Sequence, residues 1–164
     1  MLEQEVDYRN EIFDFDSIIE SQLSNQLGFE VELGESLIQE TDERLNLMHS
    51  NERVFANFLL SKKLIVFPEP YLTEINRTPD FFVINPMRYG VDESYIGRFL
   101  ELTLLSAKDL ENDSWYGRTK FARKQKQKVE FESLNIPVSY ICREQQECIK
   151  RFQKNSFEGI DKLF

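Results

Sequence analysis

Two carboxylates in this chain stand at apolar runs that have no evident use for a charge. Asp80 follows Pro79 and opens the run FFVI at 81 to 84, while Glu101 sits between leucines inside RFLELTLL at 98 to 105. An ionised carboxylate among apolar neighbours is costly unless it is paired, hydrogen-bonded or bound to a cation. Pro-Asp alone would mark only a turn, since both residues favour turns and proline suits the first position of a strand. A second acid opposite it changes that reading. If the two runs are neighbouring strands, alternation puts Asp80 on a face with Phe82 and Ile84. Glu101 then shares a face with Phe99, Thr103 and Leu105, leaving Leu100, Leu102 and Leu104 on the other. The two acids converge within metal-bridging distance. Hard oxygen donors without a cluster of His or Cys suit Mg²⁺ or Mn²⁺ rather than Zn²⁺.

A third carboxylate comes from a helical pattern. From about Thr41 to Leu60, Met48, Phe55 and Leu59 form one stripe, with Val54 and Phe58 beside it. At 100° per residue Glu52 falls about 60° from Phe55, inside that stripe. It aims at the other acids, lies on a face less buried than the stripe suggests, or pairs with Arg53 or a lysine. His49 lies at the flank of the stripe, where a lone histidine is more often a hydrogen-bonding residue than a ligand. Glu74, ahead of the Asp80 strand, is a substitute acid if Glu52 points away.

The elements that must carry these residues follow from the pattern of the chain. A length of 164 residues with 41% hydrophobic side chains, fourteen Phe among them, suits one domain with a proper core. Residues 1 to 16 look irregular and 17 to 27 weakly helical before Gly28. Strands are expected at 64 to 67, 79 to 84, 98 to 105 and 136 to 142, with helices from about 116 to 134 and at 143 to 153. The expected fold is α/β, a mixed central sheet flanked by helices, whose first three strands form a meander and whose fourth is added through a helical crossover. The acidic N-terminus lacks a signal-peptide pattern and no apolar run reaches the ~18 residues of a membrane span, so a soluble, cytoplasmic protein is expected. Cys142 and Cys148 have neither disulfide-framework nor zinc spacing.

Charge is unevenly spread. Net charge is −9, and residues 1 to 43 hold thirteen acids against Arg9 alone. An acidic N-terminal extension, about 1 to 40, could serve solubility or meet a basic protein partner. Residues 117 to 128, GRTKFARKQKQK, hold six Lys or Arg and no acid. Such a run is either a solvated helix face or a surface for phosphate.

Glu52 on a helix, TPD at 78 to 80 opening a strand, ELT at 101 to 103 on the next strand, and then a lysine-rich helix and another strand together resemble the PD-(D/E)XK nuclease superfamily over roughly residues 44 to 142. The resemblance implies a restriction-endonuclease-like core and metal-dependent endonuclease hydrolysis of phosphodiester bonds in DNA or RNA. It implies Mg²⁺ or Mn²⁺ held by Glu52, Asp80 and Glu101. That family places a lysine two residues beyond the second acid, where this chain has Thr103. A variant carries a Glu-x-Thr strand with the lysine moved to the following helix, as in the cap-snatching endonuclease domains of segmented negative-strand RNA virus polymerases. With Ala122, Gln125 and Val129 taken as the inward face of that helix, Lys124 and Lys128 flank it and are the candidates for the displaced lysine. Thr103 would bond a metal ligand or water. Arg118, Lys120, Arg123 and Gln125 would contact nucleic acid. Trp115 and Tyr116, in the loop before the basic helix, either pack or anchor that loop, the commoner role, or stack on a base. The alternative is a nuclease fold without catalysis, binding nucleic acid or a partner protein.

Overall fold

The computed structural model describes residues 2–112, 122–152 and 164. The irregular lead-in expected over residues 1 to 16 is not what residues 2 to 16 form. A single helix α1, Leu2–Leu27, takes up both this segment and the weakly helical one after it. Ile19 and Leu23, one turn apart, are buried from it. The helix stops at Gly28, whose φ of +80° a residue with a Cβ adopts poorly. The chain then forms β1, Val31–Glu32, which pairs antiparallel with β3, Tyr71–Leu72, in a small second sheet that the sequence pattern did not reveal.

The expected helix from Thr41 to Leu60 is broken in two. A 3₁₀ turn, Glu43–Leu47, is capped by Asp42, whose carboxylate accepts from the Arg44 backbone N–H at 3.0 Å. Met48 and His49 are extended, and α2, Ser50–Ser61, starts after them. The break moves His49 to the residue before α2 and puts Glu52 in its first turn, where helix dipole and carboxylate attract.

The main sheet contains β2, Ile65–Pro68, β4, Phe81–Ile84, β5, Arg98–Leu102, and β6, Val138–Ile141, in the order β2-β4-β5-β6. The first two pairings are antiparallel and the third parallel, the meander and crossover expected. The chain between β5 and β6 includes α3, Ala107–Asn112, and α4, Ala122–Ser133. A last helix, α5, spans Arg143–Phe152.

Alternation along the strands divides the core in two. On one side Phe55 and Leu59 of α2 and Ile149 of α5 pack with Phe81, Val83, Leu100 and Ile141. On the other, Ile19 and Leu23 of α1 and Phe131 of α4 pack with Phe67, Phe82, Ile84 and Phe99. The fold is α/β, with a mixed four-stranded sheet between helices. No helix among the described residues is long and apolar enough to cross a membrane.

Two expectations about faces are corrected. The strand expected over 98 to 105 ends at Leu102, because the chain turns at Thr103, and Leu104 is exposed instead of joining Leu100 and Leu102. On α4, Val129 faces solvent while Phe131 is buried and Lys124 and Lys128 are mostly covered. The inward face therefore carries the lysines themselves, whose aliphatic stems tolerate burial when the ammonium finds a partner.

Gly97, just before β5, sits close against β4. A Cβ there would lie 2.6 Å from Phe82 Cζ and 2.7 Å from the Val83 carbonyl oxygen. Gly97→Ala is expected to destabilise the protein by about 1–3 kcal/mol through forced separation of β4 and β5. Urea unfolding of the two proteins measures it, and equal midpoints would contradict this packing.

Candidate active site

Antiparallel register brings the two acids together. Phe81 pairs with Leu100 and Phe82 with Phe99, so the residue before β4 stands beside the fourth residue of β5. Those residues are Asp80 and Glu101. Asp80 is held on both sides: its carbonyl accepts from the Glu69 N–H at 3.0 Å, and its Oδ2 accepts from the Leu102 N–H at 2.7 Å.

Glu101 is only 8% exposed. Its Oε1 accepts from Lys124 Nζ at 3.1 Å, whereas Oε2 is buried without a hydrogen-bond partner. Lys124 Nζ also lies 3.5 Å from the Leu102 carbonyl and 5.9 Å from the ring centroid of Tyr140, which pairs with Glu101 across β5 and β6. Burial, with the neighbouring Asp80 charge adding to it, pushes the Glu101 carboxyl up to about 7. Asp80 is also raised, chiefly by burial, against the pull of the Leu102 N–H and the Lys124 charge. Two acids side by side at the edge of a core cannot both ionise cheaply.

Glu52 is half-buried at the start of α2, and its carboxyl is raised by burial and by the charges of Asp80 and Glu69. His49, Glu52 and Asp80 line both of two adjoining depressions, of about 420 and 240 Å³. The larger also meets Leu47, Met48, Glu69 and Phe81; the smaller meets Glu101, Thr103 and Leu104.

Thr103 is buried, and its hydroxyl accepts from the Leu105 N–H at 3.2 Å, closing the turn after β5. Lys128 pairs with Glu132 at 3.6 Å, one turn along the helix, whereas Lys124 is the lysine brought to Glu101. Gln125 is partly buried, and Glu74 is exposed in the turn after β3, lining neither depression. Arg123 belongs to α4. Arg118 and Lys120, with Trp115 and Tyr116, lie outside the described residues. Among the described residues, no three His, Cys, Asp or Glu side chains form a group that could by themselves hold a metal ion.

Sequence reasoning missed Glu69 and Gln146. Glu69 sits between β2 and β3 with φ of +51°, and only the β2–β4 register, Pro68 opposite Phe81, brings it to Asp80. Gln146 Nε2 donates to the Thr103 carbonyl at 2.8 Å and to that of Ile141 at 3.0 Å, tying α5 to the end of β5. A glutamine in a helix turn gives no sequence signal for such a contact. Compared with known protein families, with curated proteins and with solved structures, the chain matches none.

The raised Glu101 carboxyl makes stability depend on pH. Unfolded, the group loses its proton near 4.5; folded, it keeps it to about 7. The folded chain binds the extra proton in that window, so stability falls as pH rises through it. The loss is on the order of 3 kcal/mol. Urea unfolding between pH 5 and 8 in EDTA should show this fall, and Glu101→Gln should remove most of it. Parallel profiles for the two proteins would refute the assignment.

Proposed function

We propose that this chain is a divalent-metal-dependent nuclease that hydrolyses phosphodiester bonds in DNA or RNA, acting as an endonuclease. The observation that carries the reading is Glu101 Oε2, a buried carboxylate oxygen without a partner, beside Asp80 on one side and Lys124 on the other. A structural ion pair would need Lys124 and Glu101 alone; it gives no reason for a second acid against them. The donors fit a hard cation. Asp80 and Glu101 would hold Mg²⁺ or Mn²⁺, with Glu52 at the margin of the same depressions. When bound, such an ion polarises the phosphate and acidifies water at the site.

The chain's own groups do the positioning. Leu102 N–H fixes the Asp80 carboxylate, so it stays in place when its charge changes. Lys124 provides the counter-charge to Glu101 from a different element, through Oε1. Its ammonium would orient an attacking water or offset charge developing on the phosphate. Basic residues around α4, including Arg123 and Lys126, would draw the nucleic acid to this end of the sheet.

A second reading, a non-catalytic module with the same fold, draws on three features. Lys124 already neutralises Glu101, the Thr103 hydroxyl is used within its own turn, and no three-acid group forms among the described residues. The two readings separate on cleavage. With DNA and RNA substrates and Mn²⁺ or Mg²⁺, cleavage is expected for the wild type, with EDTA abolishing it. Asp80→Ala, Glu101→Ala and Lys124→Ala should each lower the rate about a hundredfold or more, and Lys128→Ala less than about threefold. A cation at a hundred times its Kd should also add about 2.7 kcal/mol of stability, lost in Asp80→Ala. Absence of both effects would leave the binding module.

A further inference from the structure

Helix α5 turns one stripe toward the smaller depression at the acid pair. Gln146, which ties the Thr103 and Ile141 carbonyls, lines that depression. Lys150 lies one turn further along the same stripe. Its ammonium donates to Oδ1 of Asn51, in the first turn of α2, and Asn51 is itself part of the depression's wall. That bond fixes the Lys150 ammonium at the rim, on the α2 and α5 side of the sheet, whereas Lys124 reaches the acids from α4 on the opposite side.

The charge of Lys150 is not matched by an acid. Glu147 stands three residues back on the same helix, at ion-pair spacing, and Glu52 follows Asn51 in the chain. Among the described residues neither pairs with Lys150, which reaches across to a neutral amide instead. A lysine held by an amide oxygen keeps its full charge and two further N–H donors for a ligand.

That charge sets the sign of the site. Among the described residues, three carboxylates line the smaller depression: Glu52, Asp80 and Glu101. Lys124, together with the two charges of a bound Mg²⁺ or Mn²⁺, offsets all three and leaves the depression neutral toward an anionic strand. Lys150 makes it positive by one, on the side that α4 does not reach. A nucleic-acid strand carries one charge per nucleotide, so a phosphate at the acid pair has charged neighbours along the chain.

From these observations, and resting on the nuclease reading, we propose that Lys150, steadied by Asn51, holds a phosphate adjacent to the one being cleaved, so that the strand crosses the end of the sheet from α4 to α5.

The test uses a short labelled oligonucleotide in DNA and RNA form, with binding followed by anisotropy in Ca²⁺ and cleavage in Mn²⁺. Lys150→Gln should raise Kd and KM about five- to tenfold with kcat kept, the loss expected of one charge-assisted contact made equally before and during reaction. The slope of log Kd against log salt should shrink by about 0.7 to 0.9, the release of one counterion fewer. Lys150→Arg should restore most of both. Asn51→Ala should raise Kd about threefold with the slope kept, because the charge stays but is no longer held in place. A strand with one uncharged methylphosphonate linkage beside a cleaved bond, on the side that meets Lys150, should be cut there about five- to tenfold less by wild type and no less by Lys150→Gln. Lys150 is exposed, so its variants should keep the wild-type melting temperature.

Unchanged Kd and salt slope in Lys150→Gln would overturn the inference, as would a neutral linkage that weakens that variant as much as wild type at every position. With metal-dependent cleavage intact, either result leaves the nuclease reading standing. A fall in kcat with Kd kept would overturn it too, by placing Lys150 in the chemistry. Lysine-dependent binding without cleavage would sink the nuclease reading and keep Lys150 as a phosphate contact.

Discussion

The pairing of β4 with β5 is the constraint on which the rest depends. Phe82 and Phe99 face each other across it with ring centroids 4.8 Å apart, and Phe81 opposite Leu100 fills the other face. A slip of one residue would send Phe82 and Ile84 to the side that Phe81 and Val83 fill, and neither core would keep its fit. Hydrophobic packing therefore fixes the register, and the register forces Asp80 beside Glu101 whatever their mutual repulsion costs. Gly97 belongs to the same constraint, since the strands reach that register only where the chain has no side chain to hold them apart.

The positive charge at the site is held differently from the acids. Lys124 comes from α4, whose placement rests on buried Phe131 and on the Arg77–Glu130 ion pair at 2.8 Å. That ion pair joins the helix to the segment leading into Asp80, so the carboxylate and the lysine share an anchor although they belong to separate elements. Thr103 could not take the lysine's part. Its position is already past the last strand residue, and its hydroxyl closes the turn that sends the chain away from the sheet.

Much of this arrangement can be read from the chain itself, for reasons that differ by element. Alternation with a period of two placed Glu101 on one face of its strand, and short apolar runs bounded by turns marked four strands in their correct order. The first half of helix α1 escaped because it is acidic with few apolar residues and has no strong amphipathic stripe to announce it, whereas its second half, 17 to 27, read as weakly helical. The split before α2 escaped because an apolar stripe continues across it; only the cap at Asp42 and the extended Met48 separate the two pieces. On α4 the error was one of phase. Val129 looked like the inward residue, yet the stems of Lys124 and Lys128 are covered in its stead. Glu69 depended on a pairing between strands and on a left-handed backbone, neither of which has a local signature.

The outer margin of β2 has its own consequence. Val66 exchanges two backbone bonds with Leu37, N–H to carbonyl at 2.6 and 3.0 Å, so the groups of Phe67 and Ile65 turn inward to β4. The next outward position is Pro68, which has no N–H to offer. A foreign strand approaching this border finds one rung occupied and the next lacking its donor. The sheet is thereby shielded on that side against recruiting another polypeptide and growing into a fibrillar assembly.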